Sequence, residues 1–119
     1  MNEIPFQKIL DVTTSFYDKA KVDFMIGYHF RIIDNFEEHI PKISRFWYLQ
    51  LNKKFYLEKK ELFNIIHSHM KLNIKKAELG RWIVLFHQTL EKEDIELQLL
   101  WKEKIENFKK IFLNNPSLF

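Results

Sequence analysis

The stretch HMKLNIKKAELGRWIVLF, residues 69–86, carries the clearest helical signal in the chain and a histidine at a fixed distance from it. Five apolar residues recur at the spacing of one helical face and predict a buried stripe: Leu79, Trp82, Ile83, Phe86 and Leu90. His69 lies thirteen residues before Trp82. A neutral imidazole is a common metal ligand, although a histidine beside an apolar helix is more often a surface residue. The pair becomes informative only when the rest of the chain supports it.

Glycine and proline are scarce in this chain, which contains two glycines and three prolines among 119 residues. Tight β-hairpins depend on these residues, so the composition predicts an all-α fold. The length suits one domain spanning residues 1–119 with a core of its own. Aromatic residues make up 16% of the chain. Such a core either holds large flat side chains alone or encloses something large and flat between them.

The composition excludes several classes of protein. The chain has no cysteine, which excludes disulfides, zinc–thiolate sites, iron–sulfur clusters and cysteine nucleophiles. Its 19 basic and 16 acidic residues are interspersed, so the net charge of +3 indicates no nucleic-acid partner. No apolar run is long enough to cross a bilayer, and the N-terminus MNEIPFQKIL lacks the pattern of a signal peptide. We therefore expect a cytoplasmic protein without a membrane partner.

The start of the chain predicts one long helix and one short helix. The first spans about residues 5–21, with Tyr17 on its buried stripe. Asp23 is a candidate cap for the short second helix. Gly27 marks a turn or a close approach of the backbone before Tyr28.

A third helix is predicted to begin at Asp34 or Asn35, which are both good N-cap residues, and to run to about Leu51. Pro41 is compatible with the first turn of a helix but not with its interior. The pattern therefore leaves open whether the helix proper begins near Ile40 or bends at Pro41.

The second half of the chain predicts three further helices. Residues 52–67 are polar and rich in lysine and glutamate, and they indicate a loop followed by a helix ending near His67. Asn73 is a candidate N-cap for the helix that contains Trp82 and ends near Leu90. A long last helix spans about residues 94–113, where apolar residues again recur on one face.

Four pieces of sequence, taken in order, resemble the truncated haemoglobins, and within them the third group of bacterial two-over-two globins. These pieces are FYDKAKVD at 16–23, IGYHF at 26–30, HIPKISRFW at 39–47 and HMKLNIKKAELGRWIVLFHQTL at 69–90. Each piece alone is unspecific, and the ordered set carries the resemblance.

The resemblance implies a two-over-two helical sandwich around a haem pocket, with haem b as the cofactor and His69 as the iron ligand. One departure concerns the segment before that histidine. The family has a glycine-rich stretch there, whereas this chain has NKKFYLEKKELFNII at 52–66. His67 therefore remains an alternative ligand. His69 is preferred because Leu72, Ile74, Leu79 and Trp82 then follow at the expected offsets.

The same resemblance assigns the other site residues. Tyr17, His39 and Trp82 are expected to contact the bound gas on the distal side. Haem contacts are expected from Phe30, Lys42, Ile43, Phe46, Arg81, Trp82, Leu85 and Phe86. Among these, Lys42 or Arg81 is the candidate partner for a haem propionate. His29 and His87 are interpreted as non-functional, with His87 exposed.

The expected function is reversible binding of O2, with NO or peroxide as further ligands, for scavenging, sensing or detoxification rather than bulk transport. An NO dioxygenase or peroxidase-like activity is left open, with a reductase as a possible partner. A monomer or weak dimer is expected. The alternative is a non-enzymatic helical interaction domain, or a globin-like fold without haem.

Overall fold

Helices form every regular element in the part of the chain that the computed structural model describes, which is residues 3–32, 35–54, 56 and 75–114. The bounds are α1 Phe6–Ala20, α2 Gly27–Arg31, α3 Phe36–Asn52, α4 Lys76–Leu90 and α5 Ile95–Leu113. This confirms the prediction of an all-α fold and is consistent with a globin-like architecture. The predicted helix ending near His67, together with His67, His69 and Asn73, lies outside the described residues.

Local capping explains where α3 and α5 begin. The Asn35 side chain accepts a hydrogen bond from the backbone N–H of Glu38 at 3.2 Å, and Asp94 accepts one from Leu97 at 2.9 Å. Because Asn35 caps the helix, α3 begins at Phe36 and not near Ile40. Pro41 consequently lies inside the helix.

The start of α4 differs from the prediction that Asn73 is its cap. The N-cap is Lys75, whose backbone N–H donates to Glu78 Oε1 at 2.9 Å. A carboxylate in the first turn of a helix satisfies a backbone donor that would otherwise lack a partner. The prediction of Asn73 as the N-cap is therefore wrong, since the helix begins two residues later and Glu78 bonds the backbone N–H of its N-cap.

Of the two predictions about the α1–α2 connection, that for Gly27 is confirmed and that for Asp23 as the cap of α2 is wrong, because the N-cap is Ile26 and no side chain caps this helix. Asp23 Oδ2 accepts hydrogen bonds from the backbone N–H groups of Met25 and Ile26 at 3.0 and 3.1 Å, so it holds the turn into α2. A Cβ atom at Gly27 would lie only 3.0 Å from the backbone oxygen of Lys21. The close approach of these two backbone segments therefore favours glycine at this position.

The four long helices pack so that α1 and α5 each contact both α3 and α4, while α2 packs on α1. Their centre is aromatic. The Phe86 ring lies 4.7 Å from Phe16, 5.5 Å from Trp47 and 5.4 Å from Trp101, measured between centroids. Side chains of the protein itself therefore fill the middle of the fold, and any bound group would lie beside this centre. No helix in the described ranges has the length and hydrophobicity needed to span a membrane.

Candidate ligand-binding site

A hydrogen-bonded pair of polar side chains lies where α1 meets α3. The hydroxyl of Tyr17, on the buried face of α1, is 2.9 Å from Nε2 of His39, in the first turn of α3. The Tyr17 side chain is buried and that of His39 is half-buried. Since α3 begins at Phe36, the imidazole reaches inward across the interface with α1.

Both members of this pair are neutral near pH 7. Burial raises the pKa of the Tyr17 phenol, so the hydroxyl keeps its proton. Burial, followed by the positive charge of Lys42, lowers the pKa of the His39 imidazole. A neutral imidazole has one N–H donor and one bare nitrogen acceptor. The tautomer of His39 therefore decides which of the two side chains donates.

An aromatic wall surrounds the pair. The ring of Phe30, on α2, lies 5.3 Å from that of Tyr17 at an interplanar angle of 90°. Phe36, at the start of α3, lies 6.0 Å from Tyr17 at 86°. Phe16 lies beside both Tyr17 and Phe30, at 5.8 Å from each. These edge-to-face contacts fix the orientation of the phenol.

Trp82 contacts Phe16, the ring that also contacts Tyr17. Its half-buried ring is 5.5 Å from Phe16 and 5.2 Å from Phe86. Within the described ranges, no residue accepts a hydrogen bond from its indole N–H. The indole is therefore available as a donor to a bound group.

The remaining predicted contact residues have different surroundings. Ile43 and Leu85 are buried, and Phe86 belongs to the aromatic centre. The Phe46 ring packs 5.3 Å from Phe108. Lys42 is exposed. Their roles as haem contacts stay predictions, as does that of His69.

Arg81, a candidate propionate partner, is engaged by a carboxylate of the protein. Its Nε and Nη2 atoms donate to Asp23 Oδ1 at 3.0 and 2.7 Å. This guanidinium holds the pKa of Asp23 below its ordinary value, with the backbone hydrogen bonds to the same carboxylate adding to the effect. The ion pair ties the start of α4 to the α1–α2 turn.

A second buried polar cluster was missed from the sequence. The buried Glu78 carboxylate accepts hydrogen bonds from the Tyr28 hydroxyl and, at 3.2 Å, forms a close pair with His29 Nε2. Tyr28 precedes Glu78 by 50 positions in the sequence, and His29 precedes it by 49. The only local signal in the sequence was Glu78 in the first turn of its helix, and such a glutamate indicates helix capping rather than a hydrogen bond to distant side chains.

His87 also differs from its prediction as an exposed residue. Its ring is half-buried, and Nε2 has no hydrogen-bond partner in the part of the chain that the structure describes. Burial, followed by the charge of Lys102, lowers the pKa of this imidazole. From the helical spacing, His87 lies just beyond the apolar stripe of α4. The packing of α4 against α5 covers this part of the helix as well.

No family model, no curated protein and no solved structure matches this chain. The resemblance to the truncated haemoglobins therefore stays a prediction from the residues quoted above. The chemistry of the Tyr17–His39 pair and its aromatic wall carries the functional proposal.

The lowered pKa values of His39 and His87 predict that acid destabilises the fold. Between each depressed pKa and the ordinary value near 6.5, the unfolded chain binds more protons than the folded one. Stability is therefore fully present above pH 6.5 and falls as the pH is lowered through this window. We expect the melting temperature, measured by circular dichroism, to fall as the pH is lowered from 7.5 to 5.5. This fall should be smaller in His39→Gln than in the wild type.

His87→Gln is the matched variant. It should also reduce the fall in melting temperature between pH 7.5 and 5.5, through an independent site. Asp23 and Glu78 have lowered pKa values, so their contribution is lost in a separate window, below their ordinary values of 3.8 and 4.5. Identical slopes in the wild type and both variants would show that neither imidazole is buried in its neutral form.

Proposed function

We propose that this protein is a haem protein of the truncated-haemoglobin type that binds O2 reversibly, with NO and peroxide as further ligands. One observation carries the proposal: a neutral Tyr17–His39 pair, hydrogen bonded at 2.9 Å, lies within an aromatic wall. Polar donors that stay uncharged in an apolar setting suit a small, weakly charged ligand better than an ion.

Half-buried aromatic side chains near the Tyr17–His39 pair support a flat apolar cofactor. The half-buried ring of Phe30 contacts Tyr17, and the half-buried ring of Trp82 contacts Phe16, which in turn contacts Tyr17. The indole N–H of Trp82 has no acceptor among the described residues. Iron in haem, when held by a single neutral imidazole, offers an open position for a diatomic ligand. His69 is the residue we assign as that imidazole, from the sequence. Phe30, Ile43 and Leu85 would supply apolar contacts.

The tautomer of His39 then controls how the ligand is held. If Nε2 carries the proton, His39 donates to the Tyr17 oxygen, and the Tyr17 hydroxyl is free to donate to the ligand. Donating through a chain of this kind polarises the hydroxyl and strengthens its hydrogen bond. If Nε2 is bare, the proton is on Nδ1 and Tyr17 donates to His39, so that the Trp82 indole and the His39 Nδ1–H remain as donors. Both arrangements retain at least one donor to the ligand.

Strong retention favours one kind of role. A hydrogen bond to a ligand that carries partial negative charge is worth about 1.5–3 kcal/mol. Such a bond slows escape of the ligand by roughly ten-fold or more. Slow release suits scavenging, sensing or detoxification better than bulk transport. NO dioxygenase or peroxidase-like turnover would in addition need an electron donor.

The absorbance spectrum of the purified protein tests this proposal. We expect a Soret band that persists through desalting, or that develops at one equivalent of haemin and then saturates. Haemin titrated in parallel into buffer alone, and into a protein that has no haem site, controls for unspecific haemin binding. A protein that stays colourless through the titration would eliminate the proposal and leave the helical interaction domain as the better description.

A further inference from the structure

Glu78 is almost fully buried, although it lies in the first turn of α4. Capping of the helix uses only one of its carboxylate oxygens, since Oε1 accepts the backbone N–H of Lys75 at 2.9 Å. A capping glutamate can perform this role at the surface, and burial of a carboxylate is unfavourable unless further groups bind it. Capping alone therefore does not account for the buried position of this side chain.

The second oxygen of Glu78 is directed at α2. Oε2 accepts a hydrogen bond from the Tyr28 hydroxyl and lies 3.2 Å from Nε2 of His29. The His29 side chain is itself buried, and its ring stacks on that of Tyr28 with 4.0 Å between the centroids. One carboxylate thus contacts two consecutive side chains of the same short helix.

Helix α2 depends on its contacts with the longer helices. It has only five residues and no side-chain cap, and a helix of this length is unstable on its own. On one side, the Phe30 ring lies 5.3 Å from Tyr17 at an interplanar angle of 90°. On the other side, the two residues before Phe30 contact α4 through Glu78. Helix α2 therefore bridges α1, which carries Tyr17, and α4, which carries Trp82.

The ion pair between Asp23 and Arg81 contacts a different part of this connection. It ties α4 to the turn before α2, because Asp23 also accepts two backbone N–H groups of that turn. Glu78 instead binds side chains within α2 itself, immediately before Phe30. The position of the Phe30 ring therefore depends most directly on Glu78.

We propose that Glu78 is a positioning residue of the candidate site, which holds α2 against α4 and thereby keeps the Phe30 ring against Tyr17. Glu78 acts through Phe30 and not by contact with the ligand. The edge-to-face contact of Phe30 fixes the plane of the phenol, and with it the direction in which the hydroxyl points. The effect on ligand retention rests on the proposed function, whereas the positioning itself is a property of the chain without haem.

Fluorine NMR of the haem-free protein tests the positioning directly. The four tyrosines are replaced by 3-fluorotyrosine, and Tyr17→Phe identifies the resonance of Tyr17, which is shifted by the ring current of Phe30. Glu78→Ala and Tyr28→Phe should each move this resonance, because each removes a contact between α2 and α4. Glu78→Gln keeps one acceptor oxygen and should move it less than Glu78→Ala does. An unmoved resonance in both Glu78→Ala and Tyr28→Phe would overturn the proposal.

Two variants serve as matched controls. Asp94→Ala removes the side-chain cap of α5, and Glu3→Ala removes the carboxylate that accepts a hydrogen bond from Tyr48. Both should leave the Tyr17 resonance in place, and equal movement in these controls would overturn a specific role of Glu78. Circular dichroism verifies that each variant is folded. If Glu78→Ala is unfolded, Tyr28→Phe decides the question, because it keeps both the carboxylate and the cap of α4.

The O2 dissociation rate of the haem-loaded protein gives a second readout. Glu78→Ala should change this rate in the same direction as Tyr17→Phe, and by less than the roughly ten-fold expected of Tyr17→Phe. It should have no further effect in the Tyr17→Phe background, because a positioning residue acts through the group that it positions. A general loss of stability would not produce this pattern. Additive effects of the two substitutions would overturn the positioning role.

The failure of this inference can be told apart from failure of the proposed function. A haem-loaded protein whose Tyr17 resonance is the same in the wild type, Glu78→Ala and Tyr28→Phe would overturn the positioning proposal alone. A protein that stays colourless with haemin, but whose Tyr17 resonance moves in both variants, would support the positioning and eliminate the haem proposal alone.

Discussion

His69→Ala is expected to abolish the Soret band of the haem-loaded protein, whereas His67→Ala is expected to keep it. The expectation follows from the proposed ligation, since an iron held by one imidazole loses its only bond to the protein when that imidazole is removed. Apolar contacts alone would retain haem weakly. We therefore expect loss of the cofactor on desalting, measured as the ratio of Soret absorbance to absorbance at 280 nm.

Free imidazole provides a control for this prediction. Added at millimolar concentration, it should restore a Soret band in His69→Ala during haemin titration, because it can occupy the position of the missing side chain. Circular dichroism would verify that both variants remain helical. Loss of the band in His67→Ala alone would shift the ligand assignment by two residues, to the alternative that the sequence left open.

Tyr17→Phe and Trp82→Phe are expected to change the O2 dissociation rate without loss of the fold. Tyr17→Phe keeps the ring that packs against Phe30 and deletes only the hydroxyl. A lost hydrogen bond of about 1.4 kcal/mol corresponds to ten-fold faster dissociation. Stopped-flow mixing of the oxygenated protein with dithionite and CO measures this rate.

The sign of the Tyr17→Phe effect shows which of the two side chains, Tyr17 or His39, can donate to the ligand. Ten-fold faster release would mean that Tyr17 donates to the ligand while His39 donates to Tyr17. Slower release would mean that the hydroxyl restrains His39, which becomes free to donate once Tyr17 is lost. Combined with Trp82→Phe, the effects should be non-additive, because both donors serve the same ligand atoms. Unchanged rates in both single variants would remove the two residues from the ligand site.

His39→Phe completes the set of distal variants. If His39 polarises Tyr17, its loss should speed dissociation by less than Tyr17→Phe does, and it should have no further effect in the Tyr17→Phe background. Leu99→Ser, an exposed substitution on α5, controls for changes unrelated to the site. Equal and additive effects of His39→Phe and Tyr17→Phe would contradict a hydrogen-bonded pair acting as a unit.

The sequence by itself determined the helices and most of their ends. The apolar spacing of α1, α4 and α5 gave the faces that are buried, because a helix repeats its faces every 3.6 residues whatever it packs against. Asn35 was one of two candidate caps for a similar reason, and Asp94 was placed at the start of the last helix. Each joins a side chain to a backbone group three residues later, and that geometry is local.

Tertiary structure decided which of these faces meet. Tyr17 and His39 are 22 residues apart, and Arg81 is 58 residues from Asp23, yet each pair is hydrogen bonded. Periodicity states that a face is buried, but the crossing of two helices fixes which side chains face each other. The same limit explains the error at His87, where a neighbouring helix covers a face of a correctly predicted helix. The error at Asn73 is local instead, because α4 begins two residues later, at an N-cap whose backbone N–H is bonded by Glu78.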